Sequence, residues 1–267
     1  MKLSLAGWSL NRQFRDASAP LKLVDFPQLA RDRFDIAAVE LNNIYFESSN
    51  AAYLDRLVAA AAKAGSKLLN IAVDEKGDLA SQSSDARLES VSNYARWIPI
   101  AKSIGATAIR ANSGGKEITD RDAAVENCID SFRRLCDVGR ANGVAILIEN
   151  HGGISADAQT MVKIVQQVRK SHGNDAMYTL PDFGNWPDDV DRYGSLEEIM
   201  PFAGAVHAKI NEIDEQLKHP RFDHRRCIQI AKGAGYDGYL GIEYEGSGDS
   251  IEGIGRGAAL LLRILGT

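Results

Sequence analysis

The sequence predicts an α/β protein, a (β/α)8 barrel of parallel strands, and three observations carry that prediction. Eight short apolar segments alternate with eight helical ones along 267 residues, and strict strand-then-helix alternation implies parallel strands joined by right-handed crossovers. Eight such units in about 250 residues is the count of a closed barrel. The apolar segments also end repeatedly in Glu, Asp, His or Asn, at the position where barrels carry their chemistry. A doubly wound open sheet would use fewer units and place a glycine fingerprint after its first strand. Gly7-Trp8-Ser9 stands there instead, so no dinucleotide site is visible. No linker or composition shift divides the chain, and one domain over residues 1–267 is expected.

Taken in order, Lys2–Ala6 is a short apolar strand, and Leu21–Arg33 is a helix with Leu23, Phe26, Leu29 and Ala30 on one face. Ile36–Leu41 is the second strand, carrying Glu40 and running into Asn42 and Asn43. The alanine-rich stretch Asn50–Ala64 is a helix stopped by Gly65, a glycine in the usual C-terminal place. Lys67–Val73 is the third strand. Asp85–Ile104 reads as one long helix capped by Ser84 or Asp85, with a kink near its end from Pro99. Ala106–Ala111 is the fourth strand, and Thr119 or Asp120 opens a helix that runs to Ala141 before Asn142-Gly143.

Val144-Ala-Ile-Leu-Ile-Glu-Asn-His-Gly-Gly153 is the most informative stretch. Its apolar run suits a strand buried on both faces, and Glu149, Asn150 and His151 stand at its exit. Ser155–Ser171 is a helix with Met161, Ile164, Val165 and Val168 at core spacing. Met177–Leu180 is the sixth strand, followed by Pro181-Asp-Phe-Gly-Asn-Trp-Pro187, and Ser195–Ala203 is a short helix. Ala205–Ile210 is the seventh strand, with His207 and Lys209. Phe222–Ala234 is a helix, Tyr239–Tyr244 the eighth strand, with Glu243, and Ser250–Leu265 the closing helix.

Composition narrows the function classes. The net charge is −5 with no basic run, which argues against a nucleic-acid backbone as partner. Cys128, Cys136 and Cys227 are scattered on helical stretches without CxxC spacing, so neither a disulfide framework nor a structural zinc site is expected, and a reducing, cytoplasmic location is. Leu3–Leu10 is broken by Ser4, Gly7 and Ser9 and reads as a strand, not a secretory signal. No apolar run approaches the roughly 20 residues needed to cross a bilayer.

Four adjacent strand ends supply metal-ligand side chains: Glu149, Asp182, His207 and Glu243. In a closed barrel they converge on one side of the mouth. Three carboxylates gathered there would repel one another unless something positive answered them. One divalent cation does so, and oxygen-rich ligation with one imidazole suits Mn²⁺, Mg²⁺, Co²⁺ or Zn²⁺.

Ile148-Glu-Asn-His-Gly152, Pro181-Asp-Phe-Gly-Asn185, Val206-His-Ala-Lys209 and Gly235-Tyr-Asp-Gly-Tyr-Leu-Gly-Ile-Glu243 resemble the sugar phosphate isomerase/epimerase family, the xylose isomerase-like TIM barrel superfamily. The resemblance covers nearly the whole chain and is most specific from Val144 onward. It implies one divalent metal bound by Glu149, Asp182, His207 and Glu243, with Glu149 and Glu243 doubling as the acid/base pair. The chemistry follows from simple principles. A cation chelated by a carbonyl and a neighbouring hydroxyl acidifies the adjoining C–H by stabilising the enediolate, so one carboxylate can take the proton and another return it. The sequence also departs from the family pattern. Asn185 stands where members often carry a histidine, and Lys209-Ile-Asn-Glu-Ile-Asp214 lacks the His and Arg common after strand 7 in ketose epimerases. That points away from a strict ketose 3-epimerase. Five histidines are too few for the three-metal cluster of the endonuclease branch.

Substrate contacts are expected from His151, Lys209, Arg110, Asn112, Glu40 and Asn185, with Trp8 and Trp186 as an apolar wall. Lys209 lies two residues from His207 and so faces the same side of its strand. His224 and Arg225 read equally well as the start of a solvated helix, and His172 and His219 as surface residues. The expected function is a divalent-metal-dependent isomerase or epimerase of a small sugar or polyol-derived carbonyl compound. A metal-dependent lyase or dehydratase on a keto-sugar or cyclitol in the same barrel is the first alternative, and a non-catalytic sugar-binding subunit the second. A small carbohydrate is the expected partner, without nucleic acid or membrane. A homo-oligomer suits this class of barrel, although no patch in the sequence decides it.

Overall fold

The computed structural model describes residues 1–115 and 118–266. Eight strands form one parallel sheet: β1 Lys2–Ala6, β2 Ala38–Asn42, β3 Lys67–Val73, β4 Ala108–Ala111, β5 Ala145–Glu149, β6 Met177–Leu180, β7 Val206–Ile210 and β8 Tyr239–Tyr244. Among the described residues ten α-helices accompany them: α1 Asn11–Phe14, α2 Phe26–Phe34, α3 Ala51–Lys63, α4 Ser84–Ala95, α5 Trp97–Ser103, α6 Arg121–Asn142, α7 Ala158–His172, α8 Arg192–Ile199, α9 His224–Gly233 and α10 Ser250–Leu265. The strand order is β6-β5-β4-β3-β2-β1-β8-β7, so the first strand pairs with both the second and the last. The remaining seam, between β6 and β7, has no ladder. It is joined by isolated bridges at Thr179–Ala203 and Asp182–His207. Two of the expected metal ligands therefore sit on the seam that completes the (β/α)8 TIM barrel.

Alternation along the strands sorts the side chains into two layers. Val39, Leu41, Ile71, Ile109, Ile146, Ile148, Val206, Ala208, Leu240 and Ile242 point outward into the main core against the helices. Inward, a small apolar cluster of Ala108, Leu147 and Leu180 fills one side. The rest of the interior is polar: Ser4, Glu40, Asn70, Arg110, Glu149, Asp182, His207, Lys209 and Glu243 are all buried. Among the described residues no helix is long and apolar enough to cross a membrane.

Several boundaries differ from the sequence reading, and two strand starts share one reason. β2 begins at Ala38 rather than Ile36, and β4 at Ala108 rather than Ala106. In both places the first apolar residue closes the preceding helix. Ile36 N–H donates to Ala30 O after left-handed Asp35 (φ 54°), and Ala106 N–H to Ala101 O after Gly105 (φ 76°). A backbone donor spent in this C-terminal motif is unavailable to the strand ladder. The helix expected over 85–104 is two helices, broken at Arg96. Pro99 removes one intrahelical donor and crowds the carbonyl four residues back, at Ala95. Its N-cap is Ser83, whose hydroxyl accepts from Ala86 N. The helix expected from Leu21 starts at Phe26, with Pro27 in its first turn, where a missing N–H costs nothing.

Candidate metal centre

Glu149 ends β5, His207 and Glu243 lie within β7 and β8, and Asp182 follows β6 by two residues. The four offer one ligand atom each, and those atoms all lie within 4.8 Å of one another. His207 Nδ1 stands 3.4 Å from Glu149 Oε1 and 3.6 Å from Glu243 Oε1, between the two glutamates.

Neighbouring residues hold these side chains in place. Asp182 is fixed by its own turn: Oδ1 accepts from Gly184 N (2.7 Å) and Asn185 N (2.8 Å). Asn150 staples its backbone from both sides, donating to Asp182 O at 3.0 Å and accepting from Asp182 N at 2.7 Å. Glu149 receives Asn185 Nδ2 at 3.2 Å and forms an ion pair with Arg110 Nε at 3.1 Å. Arg110 is itself gripped by Asp74 at 2.7 Å and by Asn112 at 2.8 Å. His207 Nε2 meets Glu40 Oε2 at 3.1 Å, and Glu40 is locked by Ser4 and Asn70, each donating at 2.7 Å.

The contact with Glu40 fixes the ring. With Nε2 held toward a carboxylate, Nδ1 is the nitrogen turned to the cluster, and on losing its proton it would offer a lone pair there, as in metal-binding histidines. Asp182 Oδ2 and His207 Nδ1 are buried without hydrogen-bond partners, while Glu149 Oε2 is met by the Arg110 ion pair. Unsatisfied buried polar atoms are costly, and two converging beside Glu149 and Glu243 fit a cation bound among them. Carboxylate oxygens with one imidazole nitrogen are the donor set of Mn²⁺, Mg²⁺, Co²⁺ or Zn²⁺.

Charge follows the same geometry. Burial alone would raise the Glu149 carboxyl, but Arg110 and His207 hold it well below the usual carboxylate range. Asp182 is pushed up to about 7 by burial and by Glu243 and Glu149, which outweigh Lys209. Burial works against the charged form of His207, yet Glu243 and Glu40 raise it well above its ordinary value. Lys209 Nζ contacts Glu243 Oε2 directly and lies 3.0 Å from Glu245 Oε2 and 3.7 Å from Asp182 Oδ2. Its ammonium partly answers the carboxylates.

A cavity of about 430 Å³ reaches the cluster at Glu243, and Trp8, Arg110, Asn112 and His151 also line it. Others of the expected contacts stand elsewhere. Glu40, placed among the substrate contacts from sequence, lies beneath His207, 3% exposed, because the ring covers it. Asn185 faces Glu149, and Trp186 is buried in the main core instead of forming the cavity wall. His219 and His224 are buried, not solvated. They pack at a tilt against Phe222, and His224 Nε2 bonds Lys209 O at 2.9 Å. His172 is half-buried against Asp137, and the three cysteines are buried as expected.

The sequence reading missed Asp74, Asn150, Gly184 and Gly241. A Cβ at Gly241 would lie 2.3 Å from Glu40 Oε1 and 2.9 Å from His207 Cδ2, and one at Gly184 would lie 2.4 Å from Lys209 Cγ. Glycine inside a strand pattern signals such close approach, and Gly241 carried that signal.

The model of one family, described as the xylose isomerase-like TIM barrel, matches residues 29–264. No curated protein matches the chain. Solved structures share the fold end to end at low identity. D-psicose 3-epimerase, solved in the presence of D-fructose, is 14% identical with a TM-score of 0.75, and the match covers 100% of both chains. The 3-keto-D-glucoside 4-epimerase of E. coli is 14% identical with a TM-score of 0.74, over 98% of this chain and 99% of that one. The IolI protein with a bound zinc atom is 13% identical with a TM-score of 0.78, over 99% of this chain and 98% of that one.

Proposed function

The chain belongs to the xylose isomerase-like TIM barrel family, and from that premise we propose that it is a divalent-metal-dependent isomerase or epimerase of a small carbonyl sugar. The observation that carries the proposal is the pair Glu149 and Glu243 on either side of His207, with Glu243 lining a cavity of about 430 Å³. Glu149, Asp182, His207 and Glu243 would hold the ion. When bound, it would polarise a substrate carbonyl and so acidify the C–H beside it.

The chain's own residues supply the rest. Glu149 and Glu243 are the proton carriers, one taking a carbon-bound proton and the other returning it. Arg110 keeps Glu149 ionised, and Glu40 keeps His207 in one tautomer. Lys209, beside Glu243, sets a positive charge where an oxygen of the substrate gains negative charge. His151 and Asn112 on the cavity wall orient hydroxyls. The neighbours named epimerases and the zinc-bound neighbour support this reading at the level of the fold.

Metal-loaded protein incubated with free ketoses in D₂O tests it. Deuterium should enter the carbon beside the carbonyl of a substrate of unchanged formula, and Glu149→Gln or Glu243→Gln should slow that exchange by about 10²–10⁴-fold. A product lacking water, or no exchange with any ketose, contradicts the proposal.

A further inference from the structure

Four strand ends that lie side by side in the sheet, from β2 to β5, are tied together by one chain of polar contacts. Asn42 closes β2 and Asn43 follows it, Asp74 follows β3, Arg110 lies in β4 and Glu149 closes β5. Asn43 grips the Asp74 backbone from both sides, accepting from its N–H at 2.6 Å and donating to its carbonyl at 3.2 Å. The Asp74 carboxylate in turn accepts from Asn42 Nδ2 on Oδ2 at 3.1 Å and from Arg110 Nη1 on Oδ1 at 2.7 Å. Arg110 reaches Glu149 Oε2 with a different nitrogen, Nε, in an ion pair of 3.1 Å. One guanidinium therefore bridges an anchored carboxylate and a carboxylate of the candidate metal centre.

Glu149 has different partners for its two oxygens. Oε1 lies 3.4 Å from His207 Nδ1 and accepts from Asn185 Nδ2 at 3.2 Å, whereas Oε2 faces Arg110. The last torsion of a glutamate is broad and two-fold, so the side chain does not by itself fix how its oxygens are turned. Arg110 fixes them only if it is held in turn, because a free arginine stem has many rotamers and would follow a mobile carboxylate. Asp74 removes that freedom, together with Asn112, which accepts from Arg110 Nη1 at 2.8 Å. A lysine could not stand in for Arg110, since its single ammonium lacks the planar fork that meets two carboxylates with separate nitrogens. Asp74 is not one of the four clustered ligand residues, and its only route to them in this chain of contacts is Arg110.

We infer that Asp74 is a positioning residue of the metal centre, acting through Arg110 to hold Glu149 with Oε1 turned toward His207 and the ligand cluster. The inference rests on the metal-binding reading of the site and deepens it. Chelator-stripped wild type, Asp74→Asn, Arg110→Lys and the double variant test it, by calorimetric titration with Mn²⁺ and by the visible absorption of bound Co²⁺. Asp74→Asn keeps the shape of the side chain, and Asp74→Ser carries the same expectation where the asparagine variant does not fold. Either single substitution should weaken Mn²⁺ binding by about 10–100-fold and change the Co²⁺ absorption. The double variant should bind no more weakly than Arg110→Lys alone, since the two residues act as one unit. A role confined to packing the loop after β3 would move the melting temperature and leave the Co²⁺ spectrum as in the wild type. Wild-type affinity and spectrum in Asp74→Asn, or losses that multiply in the double variant, overturn the inference alone. A wild type that binds no ion overturns the metal reading with it. Neither titration depends on turnover, so a bound ion without proton exchange on any ketose contradicts only the isomerase proposal.

Discussion

Glu40 Oε2 lies 3.1 Å from His207 Nε2, and this contact decides which ring nitrogen faces Glu149 and Glu243. Glu40→Gln keeps the volume and removes the charge. Loss of a carboxylate behind a ligating histidine typically weakens metal binding by about 10–100-fold. That drop should appear in calorimetric titration with Mn²⁺ or Zn²⁺, with far-UV circular dichroism unchanged.

Lys209 is 3% exposed and surrounded by Glu243, Glu245 and Asp182. Removing one partner of a buried ion pair costs about 3–5 kcal/mol, because the other charge is left unanswered. Lys209→Met should therefore lower the melting temperature of metal-free protein clearly. Saturating divalent ion, by answering the same carboxylates, should recover part of the loss.

Gly241→Ala places a methyl group where the Glu40 carboxylate and His207 ring now approach the strand. Overpacking of this kind costs about 1–3 kcal/mol. Denaturant unfolding should show that loss, and metal affinity should fall with it, since both displaced groups belong to the histidine's support. A Gly241→Ala protein with wild-type metal affinity would show that the support is more yielding than its geometry implies.

Metal binding should be pH-dependent with a defined sign. Asp182, raised to about 7 by burial and neighbouring carboxylates, binds a proton that the metal must displace. His207, raised above its ordinary value, adds another. Affinity should thus fall as pH drops through 7, with proton release on binding. Titrations in buffers of different ionisation enthalpy read that release directly.

Two buried histidines give the fold an acid limit. Burial lowers His219 to about 3 and His224 to about 4, against about 6.5 in the unfolded chain. Folding therefore favours their neutral forms. Their contribution is present above about 6.5 and is lost as pH falls from there toward the folded values. His224→Gln should flatten the decline in melting temperature between pH 6.5 and 4.5.

Much of this was legible in the sequence. The barrel showed in the alternation of β-branched runs with amphipathic stretches, and β1, β3, β6, β8 and α10 were bounded correctly from residues alone. The four-residue cluster was legible because all four side chains stand at or near strand ends. Boundaries at Ile36 and Ala106 were not, since an apolar residue spending its N–H on the preceding helix looks like any strand residue. The supports were harder still. Glu40 and Asp74 are strand-end carboxylates like the ligands themselves, and only their partners, His207 and Arg110, separate them. His219 looked solvated beside Lys218 and Arg221, while its ring packs on Phe222.

The most direct measurement is divalent-ion binding by chelator-stripped protein, beside Asp182→Asn and His207→Ala. The account predicts about one ion per chain in the wild type and a large loss of affinity in both variants, with the fold retained. Absence of binding in the wild type, or unchanged binding in the variants, would contradict it.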